Sequence, residues 1–251
     1  MSDKMPILDF CDRIEIIHMP NRVDRMVALK PQLARIGISI DDPKVHIPHA
    51  PTPADPFGFP SKGVHGNFLS HLDILTRALN ENRKNVLILE DDAIFRSLFS
   101  NREFQQRFIC QASKIAWDFC FIGHSVNVPS SACEPNLVQC NAPFKWSHCY
   151  LVNGAVLPRL VNYLNKVLHR QAGHPDGGKM YIDGALSMFR TLNPDCVCLI
   201  SKPCISIQAG SPSGLGGGRW YDHNPLTNRI ITSMRRSRDE IWRATGCFPT
   251  R

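Results

Sequence analysis

The sequence predicts an α/β protein: one Rossmann-type domain with a mostly parallel central sheet, flanking helices and long loops. Two observations carry this. Val86-Leu87-Ile88-Leu89 is an unbroken apolar run, the pattern of a strand buried on both faces of a sheet. Short β-branched or apolar runs also alternate with stretches of helical spacing, which is how βα repeats read. A third observation locates the ligand. Glu90, Asp91 and Asp92 follow the buried run directly, at the carboxyl end of the strand, where open α/β sheets bind ligands.

In chain order, Ile14 to Ile17 reads as the first strand. His18-Met19-Pro20-Asn21 turns the chain, and Arg22 to Ile36 has helical spacing. Val23, Met26, Val27 and Ala34 are expected on its apolar side, with Pro31 starting, kinking or breaking part of it. Gly37 is placed to cap that helix. Asp41 to Lys62 holds six prolines between Pro43 and Pro60, so it is predicted as a loop that covers or borders something, or as a plain linker. An amphipathic helix follows, from Gly63 through Leu79. After the acidic strand come a helix over Arg102–Ala116, a strand over Trp117–Gly123 and a second loop from Val126 to Lys145. Cys149–Val152 reads as a strand and Leu157–His169 as a helix that Pro158 helps to start. A short helix over Tyr181–Phe189 and strands at Val197–Ile200 and Ile205–Gln208 complete the main body. Gly210 to Gly218 reads as a hinge or lid loop, and Asn228 to Arg243 as a basic helix.

With no internal repeat or clean linker, residues 1–251 are expected to form one domain. Residues 13–125 would be its ligand-binding half, 126–210 its second half, and 211–251 a Gly-rich loop with the terminal helix.

Composition narrows the function. Of 251 residues, 43% are hydrophobic and 20% charged, which excludes a disordered chain. No apolar run reaches the ~18–20 residues that span a bilayer. The first residues lack the apolar core of a signal peptide, so a cytoplasmic setting is expected. The net charge of +7 favours anionic partners. Arg229, Arg235, Arg236 and Arg238 on the last helix form a solvated face or a peripheral contact with anionic membrane. Nucleic acid is not expected, because basic residues are scattered and aromatic residues are only 8%.

Three adjacent carboxylates repel one another, and a divalent cation such as Mn²⁺ or Mg²⁺ relieves that while accepting oxygen ligands. The alternative is a solvated acidic turn capping a helix that begins near Ala93. Side chains alternate along an extended segment, so Asp92 and Glu90 are the expected metal ligands, with Asp91 on the other side orienting the bound ligand.

Four separated segments together resemble glycosyltransferase family 25. Ile16 to Arg25 is similar to that family's opening strand and arginine-bearing turn. Gly66-Asn67-Phe68-Leu69-Ser70-His71 resembles its Gly-Cys-x-x-Ser-His helix start, with Asn67 in place of the cysteine. Leu87 to Ala93 matches its Leu-Ile-Leu-Glu-Asp-Asp-Ala segment, and Trp117-Asp118 with Ile122-Gly123 matches its Trp-Asp…Leu-Gly stretch. Order and spacing agree over residues 13 to 208.

The resemblance implies a GT-A-like fold that binds a UDP-sugar and a divalent metal. It implies transfer of a hexose, galactose favoured, to a glycan, lipooligosaccharide or protein-linked acceptor. Lipopolysaccharide biosynthesis in a bacterial type of setting is the expected context. Asn21, Arg22 and Arg25 would then meet nucleotide or phosphate, although Arg22 equally suits an ion pair with Asp24. Ser70 and His71 are expected at the donor site, where His71 equally reads as a structural histidine, and Gln208 is expected near metal or donor. Inverting transfer needs a general base, for which Asp183, a lone carboxylate among apolar residues, is the candidate; N-capping is its competing role. Asp118 and His124 are weaker candidates. The rival functions are a degenerate, non-catalytic binding protein and a metal-dependent phosphohydrolase using the same acidic edge.

Overall fold

The computed structural model describes residues 5–126, 136–209 and 225–245, so the Gly210–Gly218 loop lies outside the described residues. Among these residues, a seven-stranded sheet forms the centre. In chain order the elements are α1 (Pro6–Phe10), β1 (Arg13–Ile17), α2 (Val23–Arg35), β2 (Val45–His46) and α3 (Lys62–Asn80). They continue with β3 (Asn85–Glu90), β4 (Ala93–Phe95), α4 (Arg102–Lys114), β5 (Phe119–Phe121), β6 (Asn136–Gln139) and β7 (Cys149–Asn153). The last are α5 (Leu157–His169), α6 (Ile182–Leu192), β8 (Cys198–Lys202), β9 (Ser206–Gln208) and α7 (Pro225–Thr245).

The strand order is β2-β1-β3-β7-β5-β8-β6. β2, β1, β3, β5 and β8 run one way, while β7 and β6 run against them. The sheet is therefore mostly co-directional, but β7 separates its two parallel halves. Helices cover both faces. Val86 and Ile88 of β3 pack into a core with α3, α5 and α6, and Leu87 and Leu89 into a second core with α1, α2 and α4. That two-sided burial is what the unbroken apolar run encodes.

Several local expectations are met for identifiable reasons. Gly37 ends α2 in the left-handed region at φ 77°, with Gly37 N–H donating to the Ala34 carbonyl and Ile38 N–H to the Leu33 carbonyl. This is the paired bonding of a Schellman cap. Ser61 caps α3 by accepting from the Val64 N–H at 3.1 Å.

Others are corrected. The apolar side of α2 is Leu29 and Leu33; Val23 and Val27 are 65% and 67% exposed. Pro31 sits inside the helix without breaking it, and it lies on the exposed side with Val27, whose carbonyl loses its partner there. The Pro-rich loop contains the short edge strand β2. No helix begins at Ala93. Instead β4 pairs antiparallel with β9, so the acidic residues do not cap a helix.

Candidate active site

The carboxyl ends of β1 and β3 open onto a cavity of about 340 Å³. Several segments build its wall. Ile17 ends β1 and Met19, Asn21, Arg22 and Arg25 follow it, and Lys62, Gly63, Gly66, Asn67 and Ser70 belong to the first half of α3. Glu90, Asp91 and Asp92 end β3, with Gln208 beside them. Ala50 to Pro53 close one side, so the proline-rich loop borders the site. Gly66 permits this: a Cβ there would lie 2.6 Å from the Pro51 carbonyl oxygen.

The three carboxylates have different surroundings. Glu90 accepts from Asn67 Nδ2 at 3.1 Å and from Gln208 Nε2 at 3.2 Å. His71 Nε2 stands 3.5 Å from Glu90 Oε1, an ion-pair distance more than a hydrogen bond, while His71 Nδ1 meets the Tyr150 hydroxyl at 3.0 Å. Burial alone would raise the Glu90 carboxyl. The His71 imidazole beside it, helped by the hydrogen bond from Asn67, outweighs it and holds the group well below its ordinary value.

Asp91 is tied on both oxygens, to His18 Nδ1 at 2.8 Å and to Arg25 Nη1 at 2.7 Å. Asp92 Oδ2 lies 3.3 Å from Arg25 Nη2. Burial, and next the charge of Glu90, push the Asp92 carboxyl up to about 7, against the opposing pull of Arg25. A carboxyl so poised releases its proton readily when a cation arrives.

The orphaned atoms indicate where a cation fits. Asp92 Oδ1 and Asn67 Oδ1 are both buried without a hydrogen-bond partner, and both residues line the cavity. Two free oxygens are the donor chemistry that a hard divalent ion takes. Glu90, expected as the second ligand, has both oxygens engaged by amide donors. Its part here is to hold Asn67 and Gln208. Among the described residues, no group of three or more His, Cys, Asp or Glu could hold a metal on its own.

The remaining expected residues divide. Asn21, Arg22, Arg25, Ser70 and Gln208 are brought to the cavity. Arg22 bonds Asp24 through Nε and Nη2, both at 2.9 Å, so the helix-start ion pair forms even though Arg22 lines the wall. Ser70 donates to the Gly66 carbonyl at 2.9 Å. His71 is fully buried behind Glu90. Asp183 does not line the cavity; its carboxylate accepts the Trp146 N–H at 3.3 Å. Nor is it an N-cap, a position held by Tyr181. Asp118 accepts the Val197 N–H at the opposite edge of the sheet, and His124 is buried against the Ser201 carbonyl.

Sequence reasoning missed Lys62, His18 and Tyr150, and although it expected the proline-rich loop to border something, it did not single out Ala50–Pro53. Gly66 was the available signal for the wall, since a helical glycine marks a close approach.

No family model matches the chain. A Bos taurus protein named "Probable inactive glycosyltransferase 25 family member 3" is 30% identical over 105 residues. The chain resembles glycosyltransferase family 25. The match takes in 40% of this chain and 18% of the relative, so the chain spans about a fifth of that relative's length. A solved structure, a glycosyltransferase involved in glycosylation of the major capsid of PBCV-1, aligns at 11% identity with a TM-score of 0.48. That alignment covers 92% of this chain and 99% of the other.

Proposed function

We propose that this protein is a glycosyltransferase that uses a UDP-sugar and Mn²⁺ or Mg²⁺. It moves a hexose, galactose favoured, to a hydroxyl of a glycan, lipooligosaccharide or protein-linked acceptor by inverting displacement. The observation that carries this reading is the unpartnered, buried Asp92 Oδ1 inside a cavity that also presents Asn21, Arg22 and Lys62. Such a wall suits an anionic diphosphate held through a cation.

A bound divalent ion would neutralise the charge that grows on the departing diphosphate. The chain's own residues do the rest. Asp92 supplies the carboxylate oxygen. Lys62, at the start of α3, adds positive charge where that helix also directs its free N–H groups. Glu90, fixed by His71, holds Asn67 and Gln208 in place. Arg25 balances Asp91 and Asp92 so that the acidic edge stays folded without ligand.

The setting proposed is cytoplasmic, with α7 resting on anionic membrane. Among the described residues no helix is long and apolar enough to cross a membrane. On α7, Met234 and Ile241 are 66% and 45% exposed, which suits such a contact.

A second reading, a nucleotide-sugar binder without turnover, is favoured by the name of the bovine relative and by the position of Asp183 outside the cavity. Release of UDP from a panel of UDP-hexoses, with and without Mn²⁺, separates the two. Metal-dependent release supports the transferase; tight UDP binding without release from any donor supports the silent binder.

A further inference from the structure

Three side chains on one face of α6 hold a single irregular segment. Arg190 donates to the carbonyls of Cys140 and Ala142, Ser187 Oγ to the carbonyl of Phe144, and Asp183 accepts the N–H of Trp146. The helix positions are i, i+4 and i+7, and the segment positions are alternate residues, so an extended strip is stitched along a helix. Phe144 turns into the core under the Arg190 guanidinium, 4.4 Å from its ring centroid.

Trp146 ends the strip differently. It is half-buried and its backbone sits in the left-handed region at φ 76°, a conformation that a bulky residue keeps only when its surroundings enforce it. Its indole meets the His148 ring edge-on at 6.3 Å, and the His148 carbonyl accepts the Glu90 N–H at 2.8 Å. Trp146 thus stands at the same sheet edge as the cavity, where β7 enters beside the exit of β3. Tyr181, two residues before Asp183, is 47% exposed.

We infer that Trp146 is a stacking platform for an acceptor saccharide, and that Asp183 is the positioning residue that holds it there. An indole face binds the C–H face of a pyranose, and a strained backbone held by the Asp183 carboxylate, whose other oxygen accepts the Gly184 N–H at 2.8 Å, fixes where that face lies. The inference rests on the glycosyltransferase reading and reassigns Asp183 from proton transfer to positioning.

The test is saturation-transfer NMR with lactose and with methyl β-D-glucopyranoside as probes, run with and without UDP and Mn²⁺. The proteins are wild type, Trp146→Ala, Asp183→Ala and Asp183→Asn, each shown to be folded by its thermal melt. The expected result is transfer to the pyranose C–H protons in wild type, weakened about five-fold in Trp146→Ala and Asp183→Ala. Asp183→Asn, which keeps an oxygen to accept the Trp146 N–H, should retain it. Undiminished transfer in folded Trp146→Ala, or no transfer to either probe from wild type, overturns the platform. Loss in Asp183→Asn equal to that in Asp183→Ala overturns the positioning role. Trp146-dependent saccharide binding in a protein that ignores UDP keeps the platform and removes the transferase reading.

Discussion

The guanidinium of Arg25 lies 2.7 Å from Asp91 Oδ1 and, through its other terminal nitrogen, 3.3 Å from Asp92 Oδ2. One cation from α2 therefore serves two adjacent carboxylates at the end of β3. This pairing explains how an acidic cluster survives at a sheet edge without a ligand.

Removing that cation leaves two carboxylates facing each other in a largely buried site. Arg25→Ala is expected to destabilise the protein by roughly 3–5 kcal/mol, the range for breaking a buried pair. Urea unfolding measures this. A loss under about 1 kcal/mol would show that solvent, not Arg25, screens Asp91 and Asp92.

The raised Asp92 carboxyl gives a pH signature. Its folded value, about 7, exceeds the ordinary 3.8, so the folded state binds the proton more tightly. The group's contribution to stability is complete below about pH 4 and is lost as pH rises through 7. Asp92→Asn has no such loss. In buffers free of divalent cations it should match wild type near pH 4 and be the more stable protein at pH 8. At about 1.4 kcal/mol per pH unit the gap is on the order of 2–4 kcal/mol. Thermal melts at the two pH values check it; equal offsets at both would contradict the assignment.

Gly66 is a packing requirement. A methyl group there would stand 2.6 Å from the Pro51 carbonyl oxygen, so main chain of α3 or of the proline-rich wall must shift to admit it. Gly66→Ala should cost about 1–3 kcal/mol and also weaken ligand binding at the cavity. Gly173→Ala, with nothing within 4 Å but at φ 83°, where alanine is strained, is the control that loses stability without crowding the cavity. If the two variants bind ligand alike, the Ala50–Pro53 wall has no part in the site.

Tyr150 and His71 form a buried pair behind the cavity floor. Tyr150→Phe leaves His71 Nδ1 without its partner and should cost about 1–3 kcal/mol in chemical denaturation. A neutral substitution would mean that His71 is oriented by Glu90 alone.

Much of this architecture was legible in the sequence. The apolar run of β3 announced two-sided burial, and the bounds of α5 followed from periodicity with Pro158 near its start. Asn21, Arg22 and Arg25 line the cavity with the β3 acids because β1 and β3 are parallel neighbours whose carboxyl ends lie together, whereas Ser70 comes from α3 and Gln208 from β9, which pairs with β4. Strand direction was not legible: Cys149 to Val152 is apolar in either orientation, so the reversal at β7 appears only in the pairing. The α2 face was misread because Val23 and Val27 have helical spacing yet lie towards solvent, while Leu29 and Leu33 pack inward. Asp183, a lone carboxylate on a packing element, was expected as a general base or an N-cap; the structure gives it a main-chain partner instead. That partner is a main-chain N–H 37 positions away, which no local pattern reveals.

The most direct measurement is thermal stability with UDP alone, Mn²⁺ alone, both together, and with EDTA, for wild type and Asp92→Ala. A cation held between Asp92 Oδ1 and a diphosphate requires both components, so wild type should shift upward substantially only when both are present. EDTA should abolish the shift, and Asp92→Ala should not show it. A shift with UDP alone that EDTA leaves intact, or no shift in folded wild type, would contradict a metal-bridged nucleotide site at this edge.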